Sequence, residues 1–276
     1  MRWGLDISQH QLTWDELLAR AGLAEDADLD GVWVFDHFKA LYGDPRGPSL
    51  EAWTLLAGLA RETSRVRLGT LVTGMTHRHP SVLAAEVVTV DQLSGGRVEC
   101  AVGAAWNDSE HRELGIPFPP TAERMDRLEE GVQVLRLLFT EDDATFEGRH
   151  YRLDGATYRP RPVQQPHPPI WIGGEGRRWT LPIVGRYADA WHGWASSAAE
   201  LAEITAIIDR AAVDAGRDPA SIVRASSLSI SEPWDEVKAN HEWMAAGGIS
   251  YLVIEWPSEG RGRLEEFLEQ VLPTLA

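Results

Sequence analysis

The chain has 276 residues, 43% of them hydrophobic, and its 26 basic against 42 acidic side chains give a net charge of −16. So acidic a chain does not suit nucleic acid or an anionic membrane as its main partner. A single cysteine, Cys100, allows no disulfide within the chain, and neither a signal-like start nor an apolar run of membrane-spanning length is seen, so a cytoplasmic setting is expected.

Taken in order, the chain alternates strand and helix signals. "RWGLDIS" reads as a strand, and "TWDELLARAGLAEDA" as a helix with Thr13 as its cap. The strand "GVWVFDHF" and the helix "SLEAWTLLAGLARET" follow, then the strand "VRLGTLV" and the helix "PSVLAAEVVTVDQLS", which has proline in its first turn. The fourth pair is "RVECAVGA" and the long helix "TAERMDRLEEGVQVLRLLF", separated by the polar loop "AWNDSEHRELGIPFPPT", too long to be idle. A small β insertion is expected over about 140–168, where alternation mixes with turn glycines and prolines. The rhythm resumes with "PPIWIGG" and "RRWTLPIVGRYA", "DAWHGW" and "AAELAEITAIIDRAAVDAG", "IVRASSLSI" and "WDEVKANHEWMAAG", "ISYLVIEW" and "GRLEEFLEQVLPTL". Repeated strand-helix units imply parallel strands joined by right-handed crossovers. The expected fold class is therefore α/β, a single (β/α)8 TIM barrel over residues 1–276, with an open doubly wound sheet as the alternative.

A barrel concentrates function just beyond the strand C-termini. There lie Asp36, His37 and Phe38, the run Thr73 to His79, Ala104 to His111, Gly173 to Arg177, Trp191 to Trp194, and Glu255 with Trp256. Asp36 could anchor a ligand and His37 exchange a proton near neutrality, against the plain reading of a turn-capping Asp and a space-filling His. "GGEGRR", Gly173 to Arg178, joins a strand to a helix and suits a phosphate, although no Gly-Lys-Ser/Thr follows. "THRHP" invites a metal reading with Asp36 and His37, but Arg78 between the two histidines opposes a cation, and no metal is expected. Neither a Gly-x-Ser-x-Gly elbow nor a dinucleotide Gly-x-Gly-x-x-Gly is seen.

The runs "VWVFDHF", "RVRLGTLVTGMTHRHPSVLAAEVVTVDQLSGGRVECAVGAAWNDSEHRELGIPFPP" and "HPPIWIGGEGRRWTLPIVGRYADAWH" together resemble the bacterial luciferase-like family of flavin and deazaflavin oxidoreductases. The "DHF" and "GxxWN" forms resemble its coenzyme F420-using branch. The resemblance implies a TIM barrel, commonly a homodimer, with F420 or alternatively FMN across its mouth, a small-molecule substrate and, in some members, a separate cofactor reductase. It places a non-proline cis peptide at Leu71–Val72 behind the ring, Asp36 at the ring's polar edge, and His37 beside the reactive carbon as proton donor or orienter. It also places Gly74 and Thr76 along the cofactor's edge, Asn107 at its side chain, and Gly174, Glu175, Gly176 and Arg177 around its phosphate. Phe38, Trp106, Trp191 and Trp256 are expected to wall the substrate pocket. One departure matters: the sugar-phosphate dehydrogenase branch carries a carboxylate just after the fourth strand, where this chain has Ala104, Ala105 and Trp106. That favours a reductase acting on a C=C, C=N or carbonyl group, with Asp108 and Glu110 as possible substitutes for the carboxylate. The alternatives are an FMN-dependent two-component monooxygenase and a barrel that binds its ligand without turnover.

Overall fold

The structure is a computed structural model and describes residues 1–275. In chain order its elements are β1 (Arg2–Asp6), α1 (Trp14–Asp26), β2 (Gly31–Val34), α2 (Ala52–Glu62), β3 (Arg67–Thr70), β4 (Thr73–Gly74), α3 (Pro80–Ser94) and β5 (Val98–Gly103). Next come α4 (Asp108–Leu114), α5 (Thr121–Thr140), the hairpin strands β6 (Ala144–Glu147) and β7 (Arg152–Ala156), β8 (Ile170–Gly173), α6 (Thr180–Tyr187), β9 (Ala190–His192) and α7 (Ala198–Asp214). The chain closes with β10 (Val223–Leu228), α8 (Trp234–Ala246), β11 (Tyr251–Ile254) and α9 (Arg261–Glu266), which runs on through a π-helical turn, Phe267–Val271. Parallel pairing runs β3-β2-β1-β11-β10-β9-β8-β5, and β5 pairs back onto β3, so eight strands close a TIM barrel. The short β4 pairs with β5 outside that ring, and β6 with β7 forms the antiparallel insertion.

Local chemistry explains most boundaries. Thr13 accepts from the Glu16 N–H while the Glu16 carboxylate accepts from the Thr13 N–H, a complete capping box for α1. Pro80 opens α3, and Gly95 closes it at φ 69°, a left-handed conformation that costs glycine little. The expected loop after β5 instead holds α4. Asn107 caps that helix by accepting from the Glu110 N–H at 3.2 Å, and Gly115 ends it at φ 70°. Both the start and the stop signal were in the sequence, but seven residues carry too little apolar periodicity to announce a helix.

Apolar side chains fill two layers. Between sheet and helices lie residues such as Leu83, Val87 and Val90, one face of α3 at helical spacing. Inside the barrel, Trp33, Trp171 and Tyr251 pack against one another, with the Trp33 indole donating to the Tyr251 hydroxyl at 3.1 Å. Three large rings fit because glycines face them: a Cβ on Gly69 would lie 2.6 Å from the Trp33 ring. Gly69→Ala should therefore lower stability by about 1–3 kcal/mol, read from the urea midpoint; an unchanged midpoint would mean that the ring layer yields freely.

Candidate active site

Five strand exits meet at the C-terminal face of the barrel and enclose a cavity of about 350 Å³, with β9 contributing His192 and Trp194. β2 sends in Asp36 and His37, the turn after β3 sends Leu71 and Val72, β5 sends Gly103 to Asn107, and β8 sends Gly173 to Glu175. The Leu71–Val72 peptide is cis, at the bond the resemblance implied. Val72 wedges between two strands that have no side chain there, since a Cβ on Gly103 or Gly173 would come within 2.8 Å of it. The result is a smooth apolar floor on which a flat ring could lie. A second cavity of about 600 Å³ opens beside it and shares His37, Leu71, Trp106 and Trp194.

Two buried carboxylates organise the polar edge. Asp36, only 1% exposed, accepts two hydrogen bonds from the Arg78 guanidinium at 2.7 and 3.0 Å, and its Oδ2 lies 3.2 Å from His77 Nδ1. Burial opposes its charge, but the hydrogen bonds from His77 and Arg78 and their charges outweigh that and hold the carboxyl at about 2. Glu110 reaches the same edge from α4: its Oε2 lies 2.8 Å from His37 Nδ1, and its Oε1 accepts from the backbone N–H groups of Phe38 and Lys39. Burial again works against the charge, yet the hydrogen bond from His37, its charge and the backbone donor keep Glu110 below the usual carboxylate range. His37 is thereby fixed through Nδ1, which leaves Nε2 for a ligand. His192, at the end of β9, is pushed down to about 4 by burial and lies 3.1 Å from the Ser227 hydroxyl, so it stays neutral at ordinary pH.

Of the expected residues, Asp36, His37, Leu71, Val72, Gly74, Asn107, Gly174, Glu175 and Trp106 line the first cavity, and Trp256 lines the second. Several others are placed elsewhere. Trp191 is fully buried and donates its indole N–H to the Gly174 carbonyl at 2.9 Å, so it supports the wall from behind; Trp194 takes its place at the rim. Phe38 packs on His77 with ring centroids 5.0 Å apart instead of facing the ligand space. The Thr76 hydroxyl lies 2.7 Å from His111 Nε2, and it is His111 that lines the cavity. Arg177 turns outward to Glu203 at 2.7 Å and Glu200 at 3.4 Å, held by acidic groups of α7. Gly176 packs tightly on Thr180, where a Cβ would fall 2.7 Å from the hydroxyl, and Thr180 lines the cavity. Asp36 itself is engaged by Arg78 and His77, a pairing that Arg78's position between two histidines did not reveal. Of the two substitute carboxylates, Asp108 pairs on the surface with Arg112 at 3.0 Å, and only Glu110 reaches the site.

The metal question has a geometric answer of a kind. Ligand atoms of His77, Glu110 and His111 lie within 4.8 Å of one another. Yet Glu110 is taken by His37 and backbone donors, and His111 by Thr76 and the Asn107 carbonyl. His79, the remaining histidine of "THRHP", is spent capping α3, where its Nδ1 accepts from the Ser81 N–H.

A closed parallel barrel with a glycine-walled cavity at its C-terminal face and a carboxylate-held histidine at the rim defines a ligand-binding TIM barrel of enzyme type. The chain belongs to the luciferase-like monooxygenase family, whose pattern it matches over residues 2–271. It is 36% identical over 192 residues to an F420-dependent glucose-6-phosphate dehydrogenase of Kineococcus radiotolerans, covering 68% of this chain and 53% of that one. It is 31% identical over 228 residues to an F420-dependent hydroxymycolic acid dehydrogenase of Mycobacterium tuberculosis, covering 82% of this chain and 61% of the relative. The chain thus spans between half and two thirds of the length of these relatives. An F420-dependent secondary alcohol dehydrogenase has a similar fold, with a TM-score of 0.88 at 22% identity over 100% of this chain and 99% of that one. The EDTA monooxygenase of Chelativorans sp. BNC1 also shares it, with a TM-score of 0.84 at 15% identity over 100% of this chain and 93% of that one.

Proposed function

We propose that the protein is an F420-dependent oxidoreductase that transfers a hydride between the deazaflavin ring and a small organic C=C, C=N or carbonyl group. The observation that carries the reading is His37, held by buried Glu110 at the lip common to both cavities, where a ring in one and a substrate in the other would meet. The names of the sequence relatives support F420 over FMN. When bound, the cofactor supplies the hydride chemistry, and the chain supplies geometry, exclusion of water and a proton.

The residues present fit such a group. Leu71, Val72 and the bare walls at Gly103 and Gly173 suit a flat ring, and Gly74 and Asn107 border its edge. Toward α6 the cavity ends at Gly174, Glu175 and Thr180; α6 has no side-chain cap, the Leu181 N–H is spent on the Gly176 carbonyl and Pro182 has none, so the Thr180 N–H is the first-turn donor left for a phosphate. His37, tied through Nδ1, presents Nε2 as the atom that gives or takes the proton. Among the described residues no Lys or Arg lines either cavity, which supports a substrate without a phosphate of its own. A homodimer and a separate enzyme that regenerates the reduced cofactor belong to the same proposal.

Titrating the purified protein with F420 and, separately, with FMN tests the reading through cofactor absorbance and tryptophan quenching. F420 should bind in preference to FMN. Preference for FMN would favour a monooxygenase, and F420 binding with no turnover across alkene, imine and ketone acceptors would favour a binding protein.

A further inference from the structure

The second cavity carries an uncommon combination of groups. β1 and β11 are parallel neighbours in register, Leu5 opposite Ile254, so the next residues, Asp6 and Glu255, leave the barrel side by side and both line this cavity. The Asp6 Oδ1 accepts from the Ser8 N–H at 2.7 Å, whereas the Glu255 carboxylate makes no hydrogen bond or ion pair among the described residues. Around these acids stand Tyr42, Trp106 and Trp194, which are 64%, 68% and 55% exposed. Large aromatic rings left this open at the rim of one cavity mark a binding surface.

A second observation comes from the cavity that adjoins it and shares Ser8, Tyr42, Glu255 and Trp256. His10 lines that space, is 93% buried by its 7% exposure, and has no hydrogen-bond partner for either ring nitrogen among the described residues. Burial pushes it down to about 4, so it is a neutral imidazole able to accept a hydrogen bond. Arg20, the one arginine lining either space among the described residues, is stacked 3.7 Å over the Trp256 ring and borders the adjoining cavity. Burial, with the charge of Glu255 adding to it, raises Asp6 to about 7 against the hydrogen bonds from Ser8 and the charge of Arg20, as befits a carboxylate pair short of a cation.

From this geometry we infer that the second cavity is a subsite for an organic cation, an ammonium or iminium group, held by Asp6 and Glu255 and bordered by the rings of Tyr42, Trp106 and Trp194. Paired carboxylates supply the charge, and the electron-rich ring faces receive the carbon substituents of the nitrogen. The inference deepens the oxidoreductase reading and rests on it only in calling the ligand a substrate. An amine and its iminium ion differ by one hydride at the carbon beside nitrogen. A bound ammonium first gives its N–H proton to a carboxylate of the Asp6–Glu255 pair; loss of the hydride then leaves the freed lone pair to form the C=N bond, and the reverse steps return the hydride to carbon and the proton to nitrogen. The site thus selects the C=N class from the three acceptors considered above.

Calorimetric titration with benzyltrimethylammonium, benzyl alcohol and phenyl phosphate, with and without saturating F420, tests the subsite by binding alone. The ammonium should bind at least about tenfold more tightly than the alcohol, with phenyl phosphate weakest. Glu255→Gln should weaken the ammonium about tenfold and leave the alcohol unchanged. Trp106→Leu, at an exposed position with little bearing on folding, should weaken the ammonium several-fold as a second, independent check. Equal affinity for the alcohol or the phosphate, or an ammonium affinity indifferent to both substitutions, would overturn the inference. Failure of the parent reading looks different, because selective ammonium binding without any F420 binding would remove the oxidoreductase and keep the cation site.

Discussion

Replacing His37 by Ala is expected to slow hydride transfer about 10²–10⁴-fold while leaving F420 affinity nearly unchanged. The imidazole stands at the lip between the two cavities and its Nε2 is the free atom, so its loss removes a proton carrier rather than a wall of the cofactor space. Glu110→Gln should fall between wild type and His37→Ala. The amide oxygen can still accept from Nδ1, but the charge that steadies the protonated ring is gone. Single-turnover kinetics with reduced F420, alongside equilibrium binding, separate the two effects. A His37→Ala rate equal to wild type would take this residue out of the chemistry, and a Glu110→Gln variant changed only in KM would reduce Glu110 to a prop for the 38–39 turn.

Removing Arg78 is expected to cost about 3–5 kcal/mol of stability, since Arg78→Ala leaves the Asp36 carboxylate buried without its main partner. Asp36→Asn should be milder, because the group left behind is neutral and Arg78 keeps Glu51 at 3.3 Å and Glu86 at 3.2 Å. The same pair predicts a pH signature. The Asp36 carboxyl sits at about 2 in the fold against 3.8 ordinarily, so the unfolded chain takes up its proton first as pH falls. Its stabilising contribution, about 2 kcal/mol, is complete above pH 4 and is lost as pH drops toward 2. Urea midpoints across that window should fall more steeply for wild type than for Asp36→Asn. Identical slopes, or an Arg78→Ala loss under about 1 kcal/mol, would show that water reaches the pair in place of the arginine.

A substituted carboxylate also changes how the family resemblance bears on this chain. The sugar-phosphate branch places its acid directly after the fourth strand, whereas here that position is apolar and the acid arrives one helical turn later, in α4. Glu110 points at His37 and not into the ligand space, so it positions the histidine and does not replace the missing group. Among the described residues neither cavity is lined by a Lys or an Arg. Both features support the proposal of a substrate without a phosphate, even though relatives named for a sugar-phosphate substrate are among its sequence matches.

How far the sequence reached can be seen residue by residue. Strand and helix order, the Thr13 cap, the proline start of α3 and the antiparallel insertion were legible because each depends on neighbours a few positions away, through periods of two and 3.6 residues and the conformational limits of Pro and Gly. Eight such units in alternation leave little choice but a closed barrel, and closure fixes which ends of the strands face the cavity. What the sequence could not fix was where the polar side chains point. His37 meets Glu110 across 73 positions, and Asp36 meets Arg78 across 42. Arg177 turns away from the cavity because α7 offers it two carboxylates, and Trp191 is drawn inward by the Gly174 carbonyl. Asp6 and Glu255 stand at nearly opposite ends of the chain and become neighbours only when β11 closes against β1. Local pattern therefore decided the barrel and the ring of loops that holds the site. Charge pairing and burial across the closed barrel, which only the tertiary structure supplies, decided which of those residues face a ligand and with what charge.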